Sequence, residues 1–145
     1  MTIVSSIRDD LKKLTKQFNI ITGHELSKLG ITRSQAFVIR EIICSPKTIG
    51  QISKGVDLSY STTSGVIDRL EKNGYVQRIR DEEDRRVVWI GKTDKVQELG
   101  EKLTELTETL YTHVFDELSE EELQTFHKTL KLLTQQLEKK VEEIS

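Results

Sequence analysis

The stretch that decides the fold is Leu58-Ser59-Tyr60-Ser61-Thr62-Thr63-Ser64-Gly65-Val66-Ile67-Asp68-Arg69-Leu70-Glu71-Lys72-Asn73-Gly74, followed by Tyr75-Val76-Gln77-Arg78-Ile79-Arg80 and Arg86-Val87-Val88-Trp89-Ile90. The first run reads as a helix that Ser59 or Ser61 can cap and that Asn73-Gly74 stops. The other two runs are β-prone and flank the charged tip Asp81-Glu82-Glu83-Asp84-Arg85, which predicts a two-stranded ribbon. Upstream, Thr48-Ile49-Gly50-Gln51 has the spacing of a capping box and opens a short helix ending near Lys54-Gly55. Val56-Asp57-Leu58 then forms the turn. Helix, turn, helix and ribbon in this order predict a winged helix-turn-helix lobe over residues 32–92. Such a lobe can lay its second helix in a DNA major groove while the ribbon reaches an adjacent minor groove.

In the second helix Val66, Ile67 and Leu70 are expected to face the core. Tyr60, Ser61, Ser64, Asp68, Arg69 and Lys72 are left for the opposite side. Small hydroxyls at a helix start suit close approach to DNA through phosphate and base-edge contacts, although they are also ordinary caps. The ribbon tip has no glycine, so a longer and more mobile loop than a two-residue turn is expected. In extended chain Asp84 and Arg86 share a face. An exposed pair of that kind adds only about 0–1 kcal/mol of stability, so its use is to orient the guanidinium.

Outward from the lobe the pattern is helical. Residues 4–27 carry Val4, Ile7, Leu11, Leu14, Phe18 and Ile21 at alternating spacings of three and four, the seam of a heptad stripe. Gly23 and Gly30 are expected to loosen the end of this helix. Thr32-Arg33-Ser34-Gln35 is a second capping box, opening a helix that is apolar nearly all round and closes at Cys44, before Ser45-Pro46. Residues 93–115 place Val96, Leu99, Leu103, Leu106 and Leu110 on one stripe. Ser119-Glu120-Glu121-Glu122 caps a last helix with Leu123, Phe126, Leu130, Leu133, Leu137, Val141 and Ile144 in line. These seams either close on one another within one chain or pair two copies. The organisation expected is mainly α with a small β-wing, the lobe flanked by a dimerisation region at residues 1–29 and 93–145.

The formal net charge of −2 hides an asymmetry. Residues 28–80 hold nine Lys/Arg against four Asp/Glu, whereas residues 96–145 hold five against twelve. A phosphate-binding face needs only local positive charge, so DNA is expected at the centre of the chain. There is no long apolar run to cross a membrane and no basic-then-apolar start. The single cysteine fits a reducing cytoplasm. Cys44 is expected to be a buried small hydrophobe, the alternative being a redox-sensing thiol.

The run 58–64, the helix exit Asp68-Arg69-Leu70-Glu71-Lys72-Asn73-Gly74-Tyr75-Val76, then Arg78 and Asp84-Arg85-Arg86, resembles the MarR family of bacterial transcriptional regulators. The resemblance extends over most of the chain. It implies a homodimer on a pseudo-palindromic double-stranded DNA operator, with recognition helices in successive major grooves and wing arginines in the minor groove. It carries DNA contact onto Ser61, Thr62 and Ser64, and onto Arg85 or Arg86. Together with Ser59, Tyr60, Arg69 and Asp84 these are the candidate DNA-binding residues. It also implies repression relieved by a small aromatic ligand bound between the dimer helices and the lobe. Many relatives carry an arginine where this chain has Gly65, and the usual Leu-Thr-x-x-Gly after the wing is replaced by residues 92–96.

Catalytic chemistry is not expected. There is no phosphate-binding glycine loop and no paired cysteines, and His24, His113 and His127 lack ligand spacing, so neither cofactor nor metal is anticipated. The competing class is a winged helix that binds protein, for which the acidic tip Asp81-Glu82-Glu83-Asp84 leaves room.

Overall fold

A computed structural model describes residues 2–145. The elements run α1 (Ile3–Lys28), α2 (Arg33–Ile42), α3 (Ile49–Val56), α4 (Tyr60–Lys72), β1 (Val76–Arg80), β2 (Val88–Lys92), α5 (Asp94–Phe115) and α6 (Glu120–Ile144). They divide into two compact units, the first reaching to Thr104 and the second being Glu105–Ser145, so α5 runs across the boundary.

Four of the helices open on reciprocal capping boxes: Thr2 with Ser5, Thr32 with Gln35, Thr48 with Gln51 and Ser119 with Glu122. Each satisfies two backbone donors that a helix start leaves unpaired. The Thr2 box was not anticipated from sequence, because its third position is serine rather than glutamate or glutamine. As expected for residues 4–27, α1 is helical from Ile3 to Lys28, and Gly23 does not loosen it. The break comes only at Gly30, whose φ of 75° is a left-handed conformation that glycine adopts without a Cβ penalty. The α3–α4 turn uses the same region at Asp57, with φ 56°, its N–H donating to the Ser53 carbonyl. Aspartate is among the few non-glycine residues that visit it routinely.

The core of the first unit gathers Leu26, Ile31, Val38, Ile39, Ile42, Ile52, Ile67, Leu70, Val76, Ile90, Val96 and Leu99. Each large aliphatic residue fully buried there contributes roughly 1.5–3 kcal/mol. In α2 only one face is buried, through Gln35, Val38, Ile39 and Ile42. Phe37 stays on the surface with the Arg33 guanidinium 5.5 Å from its ring centre. Cys44 is exposed rather than buried. The helix ends at Ile42, two residues short of the expected stop, and Cys44 falls in the bend beyond it.

In α4 the buried residues are Thr63, Ile67 and Leu70. Val66, expected in the core, is half-buried. At 100° per residue, positions i, i+4 and i+7 form the tightest stripe and Val66 lies at its margin. Thr63 can be buried because its hydroxyl donates to the Ser59 carbonyl at 2.9 Å.

The wing is antiparallel, with Val76 opposite Lys92, Ile79 opposite Trp89 and Arg80 opposite Val88. Lys47 adds a bridge to Ile90, donating to its carbonyl at 3.1 Å and accepting from its N–H at 2.7 Å. The residues that replace the usual start of the next helix tie it to the end of α4. The Thr93 hydroxyl donates to the Gly74 carbonyl at 2.5 Å, and Lys95 Nζ donates to the Asn73 carbonyl at 2.7 Å while lying 4.5 Å from the Tyr75 ring centre.

In the second unit Phe115 stands 6.3 Å from Tyr111 and 6.2 Å from Phe126, measured between ring centres. No residue of α6 is buried, and Phe126, Leu130, Leu133, Leu137, Val141 and Ile144 of its stripe are exposed. Within the first unit the α1 seam is likewise open at Val4, Ile7, Leu11, Leu14 and Ile21. Among the described residues no helix is long and apolar enough to cross a membrane.

Candidate nucleic-acid interface

Ser59, rather than Ser61, caps α4. Its Oγ accepts the Thr62 N–H at 3.1 Å and donates to the Thr62 hydroxyl at 2.8 Å. The hydroxyl oxygens of Ser59 and Ser61 are 3.4 Å apart. The Ser59 hydroxyl is therefore engaged in the cap, and Thr62 retains its own proton as a donor. Tyr60, Ser61 and Thr62 are exposed, whereas Ser64 is half-buried. Arg69 and Lys72 are exposed and form no ion pair among the described residues. By helical phase, Ser61, Gly65, Asp68 and Lys72 point away from the buried stripe, with Thr62 and Arg69 on one flank and Tyr60 and Ser64 on the other.

The wing is fastened to this helix by Arg78. Its two terminal nitrogens donate to Asp68 and to Glu71, each at 2.6 Å. The Asp68 hydrogen bond, followed by the Glu71 charge, holds the guanidinium protonated more firmly than usual. Both carboxylates on this side of α4 are thus compensated within the chain, leaving the charge of Arg69 and Lys72 unopposed.

At the tip, Arg86 lies in a turn, since β2 begins at Val88, two residues later than the sequence implied. The expected pairing with Asp84 occurs, but through the turn and not through a shared strand face. Arg86 Nε and Nη2 donate to the two Asp84 oxygens at 3.0 and 3.1 Å, and the Arg86 N–H donates to Oδ1 at 3.1 Å. The side-chain bonds, then the backbone one, hold the Asp84 carboxyl below the usual range. The Arg86 side chain is 91% exposed, so a bidentate partner aims it while leaving it open to solvent. Among the described residues Arg85 has no side-chain partner.

The loop is longer than a two-residue turn, but it is densely bonded. Asp81 Oδ1 accepts the N–H groups of Glu83 and Asp84, both at 2.9 Å, and Oδ2 accepts the Trp89 indole N–H at 2.9 Å. The indole first, and then the two amides, lower the Asp81 carboxyl from its ordinary value. Arg80 donates to the Arg85 carbonyl at 2.7 Å. The sequence places Arg78 in the family motif and Asp81 in an acidic tip, but does not reveal the hydrogen bonds that Arg78, Asp81 and Trp89 make. The Asp81–Trp89 contact follows from register alone, because Asp81 is the diagonal neighbour of a residue paired with Ile79. The partners of Arg78 left no local signal, as they lie 7 and 10 residues away.

Among the described residues no group of three His, Cys, Asp or Glu could hold a metal ion. Residues 31–88 match the MarR family model. A curated relative, the HTH-type transcriptional regulator YsmB of Bacillus subtilis, is 32% identical over 93 residues, 64% of each chain. The matches to the first curated relatives span less than two thirds of their own length. Among solved structures, a MarR family protein from Bacillus stearothermophilus superimposes with a TM-score of 0.81 at 27% identity, covering 92% of this chain and 94% of that one. Streptococcus pneumoniae FabT, solved in complex with DNA, gives 0.78 at 25% identity over 94% and 98% of the respective chains.

Proposed function

We propose, from the match of residues 31–88 to the MarR family model, that the chain is a sequence-specific DNA-binding transcriptional regulator of that family. The observation that carries this reading is the exposed Arg86 guanidinium aimed from the wing tip by Asp84. A fixed cation on a narrow ribbon suits a minor groove, whose negative potential attracts inserted arginine. The unpaired Arg69 and Lys72 supply phosphate contacts along α4, with Tyr60, Ser61, Thr62 and Ser64 reading or positioning, Ser59 holding the helix start, and Arg85 free to reach the backbone. That FabT, similar in fold, was solved in complex with DNA supports DNA as the partner.

The active form is proposed to be a homodimer at a pseudo-palindromic operator, acting by occupancy as a repressor. The open apolar seams on α1 and on α6 support pairing, residues 1–29 and 93–145 being the dimerisation region and 32–92 the DNA lobe. A groove of about 710 Å³ in the first unit, where Leu11 and Ile20 lie beside Lys12, Lys16 and Arg33, has the chemistry to receive a small aromatic anion that relieves repression. Release requires a ligand to favour a spacing of the recognition helices that no longer matches grooves about 34 Å apart. The protein-binding alternative is weakened because Asp81 and Asp84 spend their carboxylates inside the wing, leaving less acidic surface than the tip's composition suggests.

The test is selection of binding sites from random DNA, followed by an electrophoretic shift across a salt series. A pseudo-palindrome with half-sites one helical turn apart and a steep salt dependence is expected. Recovery of no preferred sequence would remove this function.

A further inference from the structure

Gly65 sits mid-helix in α4, on the line Ser61, Gly65 and Lys72 that points away from the buried stripe. Its φ is not among the positive values, and a Cβ built on it meets nothing within 4 Å. Of the other helical glycines, Gly23 and Gly50 meet only ordinary contacts, at 3.8 and 4.0 Å, whereas Gly55 and Gly100 are packed. A Cβ on Gly55 would collide with the Glu41 carboxylate, and one on Gly100 would come within 3.4 Å of Ile43. In a helix interior glycine costs roughly 0.8–1.0 kcal/mol relative to alanine. At position 65 the chain incurs that cost with no packing or backbone requirement inside the molecule. A second observation concerns the same face one turn on, where Asp68, the carboxylate nearest to Gly65 along it, is neutralised by Arg78. Both the bulk and the charge that would resist an approaching polyanion are therefore removed at the centre of α4.

We propose that Gly65 is a specificity-determining position, the point at which α4 comes closest to DNA. The bare backbone lets the helix seat deeper in the major groove than a helix with a side chain there, bringing short donors such as the Ser61 hydroxyl to the base edges. This rests on the DNA-binding reading, and it adds that base recognition depends on an absent side chain. A longer residue at 65 would trade close approach for reach, and so would change which sequence is preferred.

The experiment compares the full-length protein with Gly65→Ala and Gly65→Arg, using the operator selected by the wild type and an unrelated duplex. Gly65→Ala is expected to raise the urea midpoint, to weaken operator binding about tenfold or more, and to change affinity for the unrelated duplex by less than about threefold. Site selection repeated with Gly65→Arg should return a different consensus. Unchanged operator affinity in Gly65→Ala would overturn the proposal, as would a lowered urea midpoint, which would show that the glycine serves the fold. If the wild type itself selects no sequence, the DNA-binding reading fails first, and that result is distinct from either of these.

Discussion

The guanidinium of Arg78 on β1 lies 2.6 Å from the carboxylate of Asp68 on α4. Together with the companion bond to Glu71, this is a side-chain tie between the wing and α4 on their solvent side. It adds a surface tie between two elements that the proposed function places on DNA. The pair is partly exposed, so its value to stability is modest after solvent screening.

Arg78→Ala is expected to cost only about 1 kcal/mol in urea unfolding, yet to weaken operator binding about tenfold. It frees the wing and uncovers two carboxylates beside the DNA. Arg78→Lys should rescue stability more than binding, because one ammonium cannot reproduce a fork that spans two acceptors. Equal losses in both measurements would reduce Arg78 to a structural role.

The wing arginines separate by their partners. Arg86→Ala should lower the slope of log affinity against log salt by about one if Arg86 neutralises one phosphate. Asp84→Ala should leave that charge in place and weaken binding less, by loss of aim alone. A salt titration of the three proteins decides between these roles. An unchanged slope in Arg86→Ala would mean that the guanidinium does not meet the backbone.

Asp81 makes the wing tip acid-sensitive in a defined direction. Its folded carboxyl titrates below the ordinary value because it accepts from Trp89, Asp84 and Glu83. The stabilisation is therefore complete above the unfolded value of about 4 and is lost as pH falls through the lower folded value. Trp89 is the only tryptophan, so its fluorescence reports this step directly. The wild type should show a change below about pH 4, with the far-ultraviolet dichroism of the helices followed in parallel. Asp81→Asn should abolish it, and persistence of the change in that variant would assign it elsewhere.

Gly74 and Gly65 should respond in opposite senses to the same methyl group. Gly74 has a φ of 80°, and Gly74→Ala is expected to destabilise by about 1–2 kcal/mol, moving the end of α4 against Thr93 and Lys95. Gly65→Ala should stabilise. Urea midpoints of the two single variants provide the comparison.

The seam of α6 should be separable from folding of the first unit. Leu130→Glu with Leu137→Glu places charge on exposed apolar positions and removes no contact from the core of the lobe. Sedimentation is expected to shift from dimer to monomer, with operator affinity reduced about 100-fold or more through loss of the second half-site. A dimer that survives both substitutions would place the pairing surface elsewhere.

Most of the architecture was legible in the residues themselves. Three of the capping boxes, the Asn73-Gly74 stop and the β-prone runs on either side of the tip are local signals. Each acts through hydrogen bonds or backbone preferences spanning only a few residues. The family motif, including the Asp84–Arg86 pair, was readable for the same reason. What tertiary structure decided was set by neighbours distant in sequence. Cys44 and Val66 were misplaced because burial depends on where a helix ends and on the margin of its packed stripe, which periodicity resolves only to about a residue. The Arg78 clamp could not be read, since an arginine on a strand chooses carboxylates only once the strand has been laid against the helix. The tip was expected to be loose from its lack of glycine. It is instead tied at Asp81 and Asp84, because hairpin register brings Trp89 within reach of Asp81, and register is a property of two strands together.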